Sequence, residues 1–352
     1  MSQPALNNSV SWETTACPLC GESRSTPFIR ASDLLYHMPG EFTLVRCESC
    51  RHVFLNPRPT RECIGQFYPS DYGPFRDSDS AECRVQSAEC KVPGERRARS
   101  DFNPRTWLWL RQLVLWWIDS RAAPIPQTSH SATKRALELG CSHGAFLAQL
   151  REGGWECIGI EPATEVARRA VESGFDVRVG SLHDVVIADS QTFAPSSFDA
   201  VFAWMVIEHL HDPVATLRLI RELLKPAGHL SFSVPNFGCW ERPVFGRTWY
   251  AMQLPTHLHH FTASSLRHLL EICGFELIEL IPQRNVNNLV GSVGLWLRTK
   301  FPRWPLGERL VRWTDNPSAL GLCLLAPVAR LLAIVRQSGR LTVVVPVAGI
   351  AP

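Results

Sequence analysis

Three groups of residues in this chain of 352 have the types and spacing for chemistry. The first is a pair of C-x-x-C steps, Cys17-Pro-Leu-Cys20 and Cys47-Glu-Ser-Cys50. Each offers two thiolates to one tetrahedral ion, and the stretch between them has the length found in zinc ribbons. Four sulfur ligands leave no open coordination position, so the expected zinc holds a small fold together and does no chemistry. His52, just past the second step, is not needed as a ligand. The second group surrounds a glycine-bounded turn, Gly140-Cys141-Ser142-His143-Gly144. An apolar run, Ala136–Leu139 with Glu138 inside it, enters the turn, and a second apolar run ends at Glu161. Glycines between a strand and a helix let backbone amides approach a ligand closely. A carboxylate about 20 residues further on can accept hydrogen bonds from both ribose hydroxyls. The third group follows a buried-strand pattern and reads Met205-Val-Ile-Glu208-His209-Leu-His211-Asp212-Pro213, with His257, His259 and His260 downstream. Imidazole titrates near neutral pH, which makes His209, His257 and His260 the candidate acid–base groups. A second metal at the loop histidines is not expected, since no carboxylate or cysteine close to them in sequence completes a ligand set.

Alternating strands and helices must position these groups. Thr164–Ser173 reads as a helix and Phe175–Val179 as a strand that ends at Gly180-Ser181-Leu182. In doubly wound sheets ligands sit beyond the carboxyl ends of the strands, which puts Ser181 and Leu182 beside the ligand's base. Phe198–Trp204 is a fourth strand, Val214–Leu224 a helix, Gly228–Val234 a fifth strand and Phe275–Ile281 a sixth, with Arg340–Val345 a candidate seventh. Thr262 caps a helix that Gly274 stops. The aromatic and histidine-rich connection after Asn236 is long and lacks periodicity, the signature of a lid or binding wall. Near the N-terminus, Thr60-Arg61-Glu62 reads as the cap and start of a short helix.

The turn lacks the third glycine of dinucleotide-binding enzymes. Glu138-x-Gly140-x-x-x-Gly144 instead resembles motif I of class I S-adenosylmethionine-dependent methyltransferases, and FDAVFAWMVIEHLHDP and LLKPAGHLSFSVPN resemble that family's fourth and fifth strands. The matches run in order from about residue 134 to 281. The resemblance implies an α/β fold with a Rossmann-like, mostly parallel seven-stranded sheet closed by one antiparallel strand. It implies S-adenosylmethionine held by Glu138, Gly140, Cys141, Ser142, Gly144 and Glu161, with Cys141 filling the turn as a small apolar residue. It places base contacts at Ser181 and Leu182. Glu208 and His209, at the exit of the fourth strand, divide between positioning the cofactor and proton transfer. The family most often has glycine where this chain has Ser142, and a positive φ there would carry strain. Residues 17–72, with the element HLHHFT, resemble the zinc-binding region of a bacterial methyltransferase group from sugar, polysaccharide and secondary-metabolite pathways.

Composition narrows the function classes. An apolar content of 45% supports a buried core, and a formal net charge of +3 is too small to signal nucleic acid. The start MSQPALNNSVSWETTA lacks a signal-peptide pattern, so reduced thiols and a cytoplasmic location are expected. The expected domains are a zinc ribbon with its exit helix (1–72), a linker or mobile loop (73–104) and a methyltransferase domain (105–352) with a helical insertion at about 283–338. The run WLWLRQLVLWWI (107–118) reads as an outer helix. Ala319–Ala329 is too short to span a membrane, and a surface contact with a lipid-linked substrate is the alternative to a soluble lid. The expected reaction is methyl transfer to a small molecule, such as a nucleotide- or lipid-linked sugar or a secondary metabolite. An RNA methyltransferase is the runner-up, because zinc ribbons often bind nucleic acid. A catalytically inactive binding scaffold is the reading motivated by Ser142.

Overall fold

The computed structural model describes residues 10–69, 72, 134–276 and 278–346; the 73–104 segment and the 107–118 run lie outside them. The N-terminal unit contains β1 (Trp12–Glu13), β2 (Ser25–Ala31), β3 (Phe42–Cys47), β4 (Val53–Leu55) and β5 (Arg58–Pro59). β3 is buried on both faces, with Phe42 and Leu44 on one and Val45 and Cys47 on the other, and it brings the second C-x-x-C step to the strand's end. β2, β3 and β4 pair antiparallel, and β1 pairs with β5. No α-helix begins at Thr60. Its carbonyl instead accepts from the amides of Cys63 and Ile64, closing a turn ahead of a single 3-10 turn over Ile64–Phe67. Two prolines just before Thr60 keep that stretch extended, leaving little length for a regular helix.

The main sheet starts with β6 (Lys134–Leu139), followed by α1 (Ala145–Glu152), β7 (Trp155–Glu161), α2 (Thr164–Glu172), β8 (Asp176–Val179), α3 (Leu182–Ala188), β9 (Phe198–Trp204), α4 (Pro213–Leu223) and β10 (Leu224–Pro235). After β10 come α5 (Glu241–Phe245), β11 (His259–His260), α6 (Ala263–Ile272) and β12 (Glu279–Pro282). Three helices, α7 (Asn287–Lys300), α8 (Leu306–Asp315) and α9 (Ala319–Ile334), precede β13 (Arg340–Pro346). The seven strands run in the order β12-β13-β10-β9-β6-β7-β8, and β13 is antiparallel to both of its neighbours. Helices cover both faces, so the central strands are nearly continuous apolar runs. In β9 the first six residues are all buried. The sixth strand begins later than its apolar run suggests, because Phe275 packs in the main core directly after the turn at Cys273 and Gly274.

The connection between β10 and α6 is not a lid. Phe237, Trp249, Leu254 and Leu258 are buried in one core with Phe42, Leu44, Leu55 and Phe67 of the N-terminal unit. Its end, β11, pairs antiparallel with β4, so the methyltransferase-like sheet domain supplies a fourth strand to the N-terminal sheet. Apolar content won over apparent irregularity: a segment this rich in Trp, Phe and Leu is stabilised by burial more than by mobility. No single helix among the described residues is long and apolar enough to cross a membrane.

Candidate active site

The glycine turn is built as a cradle. Gly140 (φ +65°) lies so close to the next strand's exit that a Cβ there would stand 2.6 Å from Val206, and at Gly144 (φ +82°) it would stand 2.7 Å from the Phe175 ring. Both positions demand glycine by conformation and by space. Between them Ser142 takes φ 48°, a left-handed conformation carried by a residue with a side chain. The Glu161 carboxylate braces it. Oε2 accepts from the Ser142 amide and Oε1 from the Ala163 amide, each at 3.0 Å. Burial pushes this carboxyl up, and the two amides oppose that shift. Each oxygen keeps a further lone pair, so the pair can still accept two ribose hydroxyls. Glu138 is buried on β6, two residues before the turn. The cradle thus fits an adenosyl ligand.

Other expected cofactor residues are placed differently. Cys141 turns beneath the cradle, where a Cβ on Gly159 would stand 2.5 Å from its sulfur, and burial raises its thiol. It offers backbone only. Leu182, expected beside the base, is 5% exposed and packs in the main core with Phe193 and Phe198. Ser181 caps α3, its hydroxyl donating to Asp184 at 2.5 Å. Both follow from the helix starting directly after Gly180, which turns the first apolar residue inward.

The 3-10 turn Ile207–His209 leaves β9 beside the cradle, and Asp212 then caps α4 through the Ala215 amide at 2.9 Å, with Pro213 in the first turn. The Leu258 amide donates to the Glu208 carbonyl at 2.9 Å and ties the long connection to this turn. Glu208 is fully buried, neither carboxylate oxygen has a hydrogen bond among the described residues, and burial pushes it up to about 8. His209 Nδ1 lies 2.9 Å from the Thr256 carbonyl and 3.0 Å from the Tyr68 hydroxyl. His257 Nδ1 lies 3.0 Å from the Ala251 carbonyl, and the two rings are 4.7 Å apart at 79°. Burial lowers His209 to about 4 and His257 well below its ordinary value, so both are neutral at pH 7.

Sequence separation concealed one relation. Glu208 is 49 residues from His257 in the chain, yet Glu208, His209 and His257 each place a ligand atom within 4.8 Å of the others. The expectation that no carboxylate completes a set at the loop histidines is therefore corrected. His260 joins the same buried region, its Nε2 without a described partner and burial lowering it to about 3. His259 is structural: its ring lies 3.1 Å from His52 Nε2 and 2.8 Å from the Leu210 carbonyl.

Tyr68, Glu241, Trp249 and Arg340 are neighbours of this region that no motif announces. Burial raises the Tyr68 phenol, and the charges of Glu208 and Glu161 add to the shift. Glu241 is buried against Trp249 and pushed up to about 7, with Arg340 opposing. The density of aromatic and polar residues in 236–260 hinted at Glu241 and Trp249; nothing in the sequence pointed to Tyr68 or Arg340.

In the N-terminal unit the four expected sulfurs converge. Cys17 and Cys50, and Cys20 and Cys47, are each 3.5 Å apart, and all four ligand atoms fall within 4.8 Å. Tetrahedral zinc with ~2.3 Å bonds requires sulfurs roughly 3.8 Å apart, so the set fits a closed zinc site.

Residues 115–280 match a family model described as a methyltransferase domain. The chain is similar to a ubiquinone biosynthesis O-methyltransferase of Burkholderia thailandensis, 27% identical over 181 residues that cover 49% of this chain and 74% of that protein. The protein of the same name from Xanthomonas euvesicatoria is 33% identical over 138 residues, 37% of this chain and 56% of that one. Among solved structures, an S-adenosylmethionine-dependent methyltransferase from Archaeoglobus fulgidus aligns with 15% identity over 69% of this chain and 93% of its own, at a TM-score of 0.40. The matched segment carries the glycine cradle, Glu161 and the Glu208–His209 exit in that order, and residues 115–280 are a methyltransferase domain of the class I S-adenosylmethionine-dependent kind.

Proposed function

We propose that this methyltransferase acts on a hydroxyl of a small, polyhydroxylated acceptor, such as a sugar on a nucleotide or lipid carrier or a secondary metabolite. One observation carries the reading: a buried polar wall whose groups are not spent on one another. The Glu208 carboxylate, His260 Nε2 and Arg340 Nε are all buried without a hydrogen bond among the described residues. Unpaired buried groups are costly, and a ligand rich in hydroxyls would satisfy donors and acceptors alike. The two curated relatives act in their names on oxygen, which supports a hydroxyl acceptor.

Bound S-adenosylmethionine would supply a methyl already activated on sulfonium. Glu138, Gly140, Ser142, Gly144 and Glu161 would hold its adenosyl part. Ser142 and Cys141 would contribute backbone, and Gly180–Ser181 the end of the base pocket. Alignment and exclusion of water then account for most of the rate, and the acceptor's proton is lost beside the buried cluster of Glu208, His209, His257 and His260. The four cysteines would hold zinc as a structural ion, and the protein would work in the cytoplasm.

A lipid-linked acceptor is favoured by α9. Leu320, Leu324, Leu331 and Ile334 are 60–77% exposed and fall on one stripe of the helix, the pattern of an interfacial face. The test is to offer methyl-labelled cofactor with extracts fractionated into water-soluble and lipid-soluble pools, and to identify the labelled product by mass spectrometry. A labelled methyl ether in either pool supports the proposal. Label appearing only in RNA, or on nitrogen, would overturn it.

A further inference from the structure

We propose that Glu208, His209 and His257 form a site for a first-row divalent cation, with open coordination positions turned to the acceptor. The proposal rests on the methyltransferase reading for its role, but on this chain's own geometry for its existence. One ligand atom from each of the three residues lies within 4.8 Å of the other two. Two imidazoles and one carboxylate satisfy three positions of zinc, iron, manganese or cobalt, and such sets characteristically leave the remaining positions for water or substrate.

The backbone has already fixed the imidazoles for the purpose. A carbonyl can only accept, so the Thr256 carbonyl at 2.9 Å makes His209 Nδ1 the N–H, and the Ala251 carbonyl at 3.0 Å does the same for His257. The Tyr68 hydroxyl, 3.0 Å from His209 Nδ1, accepts a share of the same hydrogen. Each ring is left with its lone pair on Nε2, locked in orientation by an outer hydrogen bond as metal-binding histidines are. Glu208 supplies the second, independent observation. Its side chain is completely buried and neither oxygen has a described hydrogen-bond partner. Arg340 is the cation whose charge reaches both Glu208 and His257, yet it makes no described hydrogen bond to the carboxylate. A buried carboxylate grouped with two neutral imidazoles is matched by a cation shared among the three.

The role follows from position. The turn bearing Glu208 leaves β9 beside the glycine cradle, so an acceptor oxygen bound to the ion would stand next to the donor methyl. Bound to a dication, the hydroxyl gives its proton to water more readily. Its oxygen then forms the new C–O bond as the methyl–sulfur bond breaks, and the electron pair returns to sulfur as a neutral thioether.

Manganese alone is the probe. The full chain, with its zinc content measured first, is titrated with Mn2+ in the absence of cofactor and acceptor while free ion is followed by electron paramagnetic resonance. One equivalent should bind in the micromolar range without displacing zinc. Glu208→Gln and His257→Gln should each weaken it by roughly tenfold or more. Pulsed spectra of the wild-type complex should show coupling to imidazole nitrogen, a readout that survives if either variant fails to fold. No saturable binding, binding indifferent to both substitutions, or no nitrogen coupling would overturn the site. Methyl transfer without manganese binding refutes only the cation; manganese binding without methyl transfer refutes only the acceptor reading.

Discussion

Replacing Glu161 by glutamine tests the cradle most directly. The carboxylate now accepts two backbone amides at 3.0 Å, one on each oxygen, and is 4% exposed. Glutamine keeps one acceptor oxygen, but its NH2 must face either the Ser142 or the Ala163 amide, donor against donor. For the ribose, one of two charge-assisted bonds is lost and the other becomes neutral. A hydrogen bond to a charged group contributes ~1.5–3 kcal/mol, so affinity should fall by roughly 10- to 150-fold. The same clash should loosen the turn, which Ser142 holds at φ 48° only with this support. Titration calorimetry of S-adenosylhomocysteine into wild-type and variant protein gives the affinities, and circular dichroism confirms the fold. Glu156→Gln, on the exposed start of the same strand, is the control. An unchanged affinity in a folded Glu161→Gln protein would refute the assignment of this carboxylate to the ribose.

Other outcomes follow from the same geometry. Cys47→Ser should release the zinc and lower the unfolding temperature of the N-terminal unit, measured by elemental analysis and scanning calorimetry; a full zinc complement would contradict a four-thiolate site. Glu241 has its folded pKa raised from 4.5 to about 7, so the native state holds the extra proton and stability should fall as pH rises through that interval. Denaturant titrations at stepped pH should show a decline of a few kcal/mol at most, largely absent in Glu241→Gln. Tyr68→Phe removes a hydroxyl 3.0 Å from His209 while leaving the cradle intact. It should lower kcat by about tenfold with little change in cofactor affinity, as loss of one positioning contact does.

The sheet was legible because its signals are local. Apolar runs ending in glycine, a Thr262 cap and the valine-rich Arg340–Val345 run each describe an element through its neighbours in sequence, and each element lies where those signals point. The convergence of the four cysteines was legible for the same reason, since each C-x-x-C step declares half of the cluster. The acceptor side was not. Glu208 meets His257 only because β11 anneals to β4 and pulls the preceding turn across the end of β9. Tyr68 reaches His209 across 141 residues. Leu182 illustrates a different limit: a residue at the end of a strand can face ligand or core, and the immediate start of α3 decided for the core.

The pairing of β11 with β4 binds the histories of the two halves of this enzyme together. A descendant that lost its N-terminal unit would expose a strand edge and strip the phenol from His209, so it would inherit a damaged reaction chamber along with a damaged surface. Recombination among related genes should therefore carry the cysteine unit and the 236–260 segment as one heritable block.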